Sequence, residues 1–169
     1  RKRHSPESVK LAKTIADEST VLLKNENQLL PLDAKSLKSI AIIGPNADQV
    51  QFGDYTWSRN NKDGVTPLQG IKNRVNKNTA IHYAKGCSLT SLDTSGIAEA
   101  VEAAKNSEVA VIFGGSASAA LARDYKSSTC GEGFDLNDLN LTGAQSQLIR
   151  EVYRTGTPVI LVLVTGKPF

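Results

Sequence analysis

The 169-residue chain is poor in the residues that most often mark metal or thiol chemistry. It contains two histidines, two cysteines, one tryptophan and no methionine. The histidines and cysteines stand at unrelated spacings, which argues against a zinc site of the usual kind. Cys130 also lacks a suitably placed histidine base, which a cysteine nucleophile would need. We therefore expect neither a bound metal nor a cofactor.

Concentrated charge and long apolar runs are equally scarce. The formal net charge is only +3, and no basic stripe interleaved with aromatic residues occurs, so nucleic acid is not expected as a partner. The longest apolar run, Val159–Val164, is too short to cross a bilayer. The glycines Gly114-Gly115 follow an apolar segment but show neither dinucleotide-binding nor P-loop spacing, which argues against a nucleotide site.

What the sequence does contain is an alternation of apolar segments and helical patterns. Uninterrupted apolar runs are typical of strands that are buried on both faces of a parallel sheet. Such runs predict strands over residues 39–44, 80–84, 109–115 and 159–164, and helical periodicity predicts helices over 5–24, 66–75, 95–104 and 142–152. This order predicts an α/β fold, a doubly wound and mainly parallel sheet with helices on both faces. Because the chain stops just after a strand that should be central, we expect the sheet to be truncated after the fourth strand.

The longest predicted loop, residues 116–138, contains a glutamate between two glycines, Gly131-Glu132-Gly133. Glycines on both sides leave the backbone open to a close approach by substrate, although a solvated turn is the ordinary alternative. The same loop carries Asp124 and Asp135, with Arg123 nearby. Glycoside hydrolysis requires two carboxyl groups, one of which protonates the leaving oxygen, and this loop contains candidates for that acid.

A second polar loop, residues 52–64, follows the first predicted strand and carries Tyr55 and Trp57. Open α/β sheets bind ligands outside the carboxyl ends of their strands, so these rings are candidate ligand contacts. The alternative is that they only cover an exposed edge of the core.

Several motifs, in this order, resemble the second domain of family 3 glycoside hydrolases, and the resemblance covers essentially the whole chain. They are Ala16-Asp17-Glu18-Ser19-Thr20-Val21-Leu22-Leu23-Lys24-Asn25, Leu30-Pro31-Leu32, Ile40-Ala41-Ile42-Ile43-Gly44-Pro45-Asn46-Ala47-Asp48, Gly53-Asp54-Tyr55, Thr66-Pro67-Leu68-Gln69-Gly70-Ile71, Gly131-Glu132-Gly133-Phe134-Asp135-Leu136 and Leu139-Asn140-Leu141-Thr142-Gly143-Ala144-Gln145.

The resemblance implies part of a retaining, exo-acting β-glucosidase or β-xylosidase that removes terminal non-reducing sugars from an oligosaccharide or β-glycoside. In that family a TIM-like barrel carries the aspartate nucleophile, and the barrel is absent from this chain. Residues 1–32 would be the leading helix and tie from the barrel, and residues 33–169 an incomplete α/β sandwich.

The resemblance also implies roles for individual residues. Glu132 would be the general acid/base, with Asp124 and Asp135 as runners-up; Asp135 is expected to be structural, anchoring the loop through backbone amides. Tyr55 and Trp57 would contact the leaving-group sugar, and Arg123 would also bind substrate.

Both cysteines follow predicted strands at the same rim of the sheet, Cys87 after the second strand and Cys130 after the third. We hypothesise a disulfide that tethers the loop, which would agree with the secreted or periplasmic location that the family implies. Two other functional classes stay open. One is a non-catalytic carbohydrate-binding or packing module that shapes the specificity of a neighbouring domain, and the other is a flavodoxin-like regulatory domain that binds a small anion.

Overall fold

The computed structural model describes residues 5–56, 64–118 and 128–169. It divides the chain into two compact units, Arg1–Leu32 and Asp33–Phe169. The assignment of residues 1–32 to a preceding barrel domain stays a prediction.

The first unit contains helix α1, Pro6–Ser19, and a short 3-10 turn, Glu26–Gln28. Ser5 caps α1, since its hydroxyl accepts the backbone N–H of Ser8 at 3.2 Å. The helix ends five residues before the predicted end at 24. Thr20 is β-branched and extended, and its hydroxyl donates to the carbonyl of Ala16 at 3.2 Å, which satisfies one of the carbonyls left open at a helix end.

The second unit is built on a four-stranded sheet with the order β2-β1-β3-β4, in which every pair of neighbours is parallel. Its strands and helices are, in chain order, β1 Ser39–Ile43, α2 Pro67–Arg74, β2 Ala80–Ala84, α3 Ile97–Lys105, β3 Ala110–Gly115, α4 Gln145–Tyr153 and β4 Val159–Val164. The predicted parallel α/β sheet is thereby confirmed.

Both faces of the central strands are covered. Side chains alternate between the two faces of a strand, and one face of β1 and β3 packs with buried residues of α3 and α4 (Ala41, Ile43, Ala110, Ile112, Ala100, Ala104, Leu148, Val152). The opposite face of the same strands is also at most 8% exposed (Ile40, Ile42, Val111, Phe113). Right-handed crossovers place α2 on this second face, so the sheet is doubly wound.

Candidate active site

The loops after β1 and β3 meet at the carboxyl edge of the sheet because the two strands are neighbours. Asn46, two residues beyond Gly44, is fully buried. Its side-chain amide donates to the carbonyls of Gly114 (3.2 Å) and Ser116 (3.3 Å), and its own oxygen accepts from Gln51. A buried amide thus joins the two loops.

A second buried amide fixes the other side of the β3 loop. Gln145, the first residue of α4, is 1% exposed. Its side chain accepts the N–H of Gly115 at 2.9 Å and donates to the carbonyl of the same residue at 3.0 Å, and it also donates to the carbonyl of Leu89 at 3.1 Å. Thr142, where the sequence predicts the start of this helix, lies before α4, and its hydroxyl donates to the carbonyl of Leu89 at 2.6 Å.

The chain returns to this edge at Thr129, which is 1% exposed. Its N–H donates to the carbonyl of Ala117, and its hydroxyl accepts the N–H of Ala117, both at 3.0 Å. Cys130 then forms a parallel bridge with Ser118. These contacts place the next residues, Gly131 and Glu132, just outside the carboxyl end of β3.

Glu132 lies at an exposed turn that is closed by the N–H of Phe134 donating to the carbonyl of Gly131 at 3.1 Å. Gly131 has φ +117°, a conformation that favours glycine. A Cβ at this position would lie 2.5 Å from Oδ2 of Asp54. The same oxygen accepts the backbone N–H of Glu132 at 2.7 Å. The backbone of this turn therefore contacts the Asp54 carboxylate directly.

Tyr55 is brought to the same glutamate. Its hydroxyl donates to Oε2 of Glu132, while 82% of the residue is exposed. Tyr55 has φ +64°, the left-handed region that non-glycine residues adopt uncommonly and that often marks functional turns. The structure thus brings together the predicted acid, Glu132, and one of the two predicted aromatic contacts, Tyr55.

Asp135 is held differently. Its carboxylate accepts from Nζ of Lys167 at 2.9 Å and from the N–H of Leu136 at 2.8 Å. The hydrogen bond from Lys167, followed by that from Leu136, lowers the pKa of Asp135 below its ordinary value. A carboxylate stabilised in its charged form is a poor proton donor, and these contacts are those of a loop anchor.

Three of the nominated residues, Trp57, Arg123 and Asp124, lie outside the described residues. The hypothesised disulfide is not supported, because both cysteines are free thiols. Cys87 packs instead into the core, where burial raises the pKa of its thiol to about 11.

Sequence reasoning missed the residues that hold the loops together, namely Asp54, Asn46 and Gln145. Asp54 stood beside a nominated tyrosine, but nothing local indicates that its partner is 78 positions away. Over residues 5–56, 64–118 and 128–169, no group of three metal-ligating side chains occurs. Among the helices in that part of the chain, none is long and apolar enough to span a membrane.

Comparison with known families gives one match that covers most of the chain. The family described as glycosyl hydrolase family 3 C-terminal domain matches residues 20–169. A β-xylosidase from Formosa agariphila is 41% identical over 160 residues, which are 91% of this chain and 21% of that protein. A periplasmic β-glucosidase from Salmonella typhimurium is 36% identical over 94% of this chain and 22% of its own length. The chain therefore spans about a fifth of the length of these relatives.

Solved structures agree with the fold. A β-glucosidase from Listeria innocua in complex with glucose superimposes with a TM-score of 0.81 at 27% identity, over 99% of this chain and 21% of that one. A β-glucosidase from Erythrobacter marinus gives a TM-score of 0.80 at 30% identity, over 98% of this chain and 24% of the other.

Proposed function

Since this chain belongs to the C-terminal domain family of glycosyl hydrolase family 3, we propose that it contributes the general acid/base to a retaining, exo-acting β-glycosidase. Its partner in the reaction is a TIM-like barrel domain of the same polypeptide, which carries the aspartate nucleophile. The substrate is an oligosaccharide or β-glycoside with a terminal β-linked xylose or glucose, in keeping with relatives named β-xylosidase and β-glucosidase. The enzyme works outside the cytoplasm, as the name of the periplasmic relative suggests.

The observation that supports Glu132 most directly is its position at an exposed glycine-flanked turn beyond the carboxyl end of β3, with the Tyr55 hydroxyl on its carboxylate. Exposure leaves the carboxyl group accessible to a sugar bound mainly by another domain. Asp135 is also exposed, but Lys167 holds its carboxylate as an anion. Of the two described carboxylates nominated from the loop, Glu132 is the one suited to transfer a proton.

In the first step, Glu132 gives its proton to the glycosidic oxygen while the bond from that oxygen to the anomeric carbon breaks. The barrel aspartate forms a new bond to the same carbon, which leaves a covalent glycosyl-enzyme. In the second step, the Glu132 carboxylate takes a proton from water as that water attacks the anomeric carbon and displaces the aspartate. Both carboxyl groups regain their starting states.

The remaining residues line the leaving-group side of the bond. The ring of Tyr55 presents an apolar face on which pyranose C–H groups can stack, and its hydroxyl orients the Glu132 carboxylate. Trp57 and Arg123 are proposed as further substrate contacts, and Asp124 as the alternative acid; all three lie outside the described residues.

The test is Glu132→Gln in the complete enzyme, which includes the barrel. Glutamine keeps the shape but has no proton to give. We expect kcat/KM to fall by about 10²- to 10⁴-fold for substrates with poor leaving groups, such as disaccharides, and to change little for dinitrophenyl glycosides. The kcat of the activated substrates should nevertheless fall, because their second step still needs the Glu132 base, and added azide, which needs no base, should restore it.

A matched control is Asp93→Asn, because Asp93 is an exposed carboxylate that only caps a turn through Ser95. It should leave all substrates unaffected. Equal losses on good and poor leaving groups in Glu132→Gln, with no effect of azide, would place the acid elsewhere. Full activity of that variant on disaccharides would favour a non-catalytic binding or packing module.

A further inference from the structure

The loop that contains Asp54 holds the Glu132 turn by two successive residues. Asp54 accepts the backbone N–H of Glu132 at 2.7 Å, and Tyr55 donates to the side-chain carboxylate of the same glutamate. One loop therefore contacts both the main chain and the reactive group of a residue 77 and 78 positions away.

The contact of Asp54 is charge-assisted, which makes it shorter and stronger than a hydrogen bond between neutral groups. It also depends on the absence of a side chain at Gly131, where a Cβ would lie 2.5 Å from Oδ2 and 3.1 Å from Oδ1 of Asp54. Gly133 lies on the other side of the glutamate, and among the described residues no atom lies within 4 Å of a Cβ built on it. The glycine before Glu132 is thus fitted against the carboxylate, and the glycine after it is open.

The turn that carries the exposed Glu132 is held by two main-chain bonds of different kinds. The N–H of Phe134 donates to the carbonyl of Gly131, and the N–H of Glu132 donates to the Asp54 carboxylate. The first closes the turn on itself, whereas the second ties it to a different segment of the chain. Asp54 therefore joins the backbone of the acid to the loop after β1.

We propose that Asp54 is a positioning residue for the acid/base, which acts by fixing the backbone of Glu132 and does not itself touch the sugar. This inference rests on the proposed function of Glu132. A general acid must reach the glycosidic oxygen within hydrogen-bonding distance, and a displacement of about 1 Å in such a group can lower the rate by about 10²-fold. Asp54 contributes to the rate by preventing that displacement.

The first test is kinetic and uses Asp54→Ala, Asp54→Asn and the control Asp93→Asn in the complete enzyme. We expect Asp54→Ala to lower kcat/KM on disaccharides by about 10- to 100-fold. The loss of kcat/KM on dinitrophenyl glycosides should stay below about threefold, because kcat/KM reports the first step and that step needs no acid for these leaving groups. Asp54→Asn keeps an oxygen acceptor and should recover a large part of the loss. An equal loss on both classes of substrate would mean a general structural defect and would overturn the positioning role.

The second test does not depend on catalysis. Millisecond hydrogen–deuterium exchange of a peptide that contains residues 128–136 should show faster exchange of the Glu132 amide in Asp54→Ala, by about fivefold or more, and no change in Asp93→Asn. Unchanged exchange would overturn the inference whatever Glu132 does. Faster exchange combined with normal leaving-group sensitivity in Glu132→Gln would instead overturn the acid/base assignment, and the positioning role with it.

Discussion

The two glycines that flank Glu132 allow a matched comparison. Both have positive φ, +117° at Gly131 and +76° at Gly133, so an alanine at either position is strained by about 1–3 kcal/mol. Among the residues that the structure describes, only the Gly131 Cβ meets another group, Oδ2 of Asp54 at 2.5 Å. Gly131→Ala and Gly133→Ala therefore both carry a backbone cost, and Gly131→Ala adds a steric contact with Asp54.

The size of that difference follows from the distance. Side-chain carbons are not found closer than 3.0 Å to such atoms, so the Gly131 Cβ and the carboxylate must separate by at least about 0.5 Å. That separation stretches the hydrogen bond from Glu132 to Asp54, and losing it entirely would cost about 1–2 kcal/mol at this partly exposed site. A shift of this size in a proton donor lowers the rate by about tenfold or more.

The assay is kcat/KM on a disaccharide in the complete enzyme. We expect Gly131→Ala to lose about tenfold more than Gly133→Ala. In an Asp54→Ala background the difference between the two alanine variants should shrink, because the clashing carboxylate is gone and the coupling between positions 54 and 131 disappears. Equal losses in the wild-type background, or a difference of unchanged size without Asp54, would refute the reasoning.

Three further predictions concern anchoring and the core. Gln145→Glu should lower the free energy of unfolding by about 2–4 kcal/mol, because it buries a charge and removes the amide donors, whereas Gln147→Glu, exposed in the same helical turn, should change it little in urea denaturation. Lys167→Met should raise the pKa of Asp135 towards its ordinary value in a carboxyl NMR titration. Because the pKa of Asp135 is lowered in the folded state, the stabilisation by the Lys167–Asp135 ion pair is present above about pH 4 and is lost as the pH falls further. Cys87 should resist iodoacetamide at pH 8 in the native protein, because few of its thiols are ionised with a pKa of about 11, while mass spectrometry after denaturation without reductant should find two free thiols.

The scaffold was predictable because the apolar strand segments have a strong local signature, in the partly buried strands β2 and β4 as well as in the buried β1 and β3. The second and fourth strands were predicted at their observed bounds, Ala80–Ala84 and Val159–Val164, and the other two within one residue. Helix ends were harder. The helix predicted from residue 142 begins at Gln145, and the Thr142 hydroxyl donates to the carbonyl of Leu89, since a hydroxyl that can cap a helix can also donate to any carbonyl that the fold brings near.

The site was predictable only in part, because some of its features are local in sequence and others depend on contacts between distant segments. Glycines around Glu132 and an aromatic loop after β1 are visible in sequence, because turn chemistry is local. The bonds from Asn46 to the β3 loop and from Glu132 to Asp54 span 68 to 78 positions, and they exist because two neighbouring strands end side by side. A single sequence contains no local pattern for such pairs.

The contact between Asp54 and the Glu132 turn also sets a condition for engineering. The loop around Glu132 could be transferred into a relative in order to change its preference for substrates. Such a transfer moves the Glu132 turn without the Asp54 segment that it contacts. The host must also supply a carboxylate at the position of Asp54, or the backbone of the grafted glutamate lacks its hydrogen-bond acceptor. The smallest transferable unit in this fold is therefore two segments from separate parts of the chain, exchanged together.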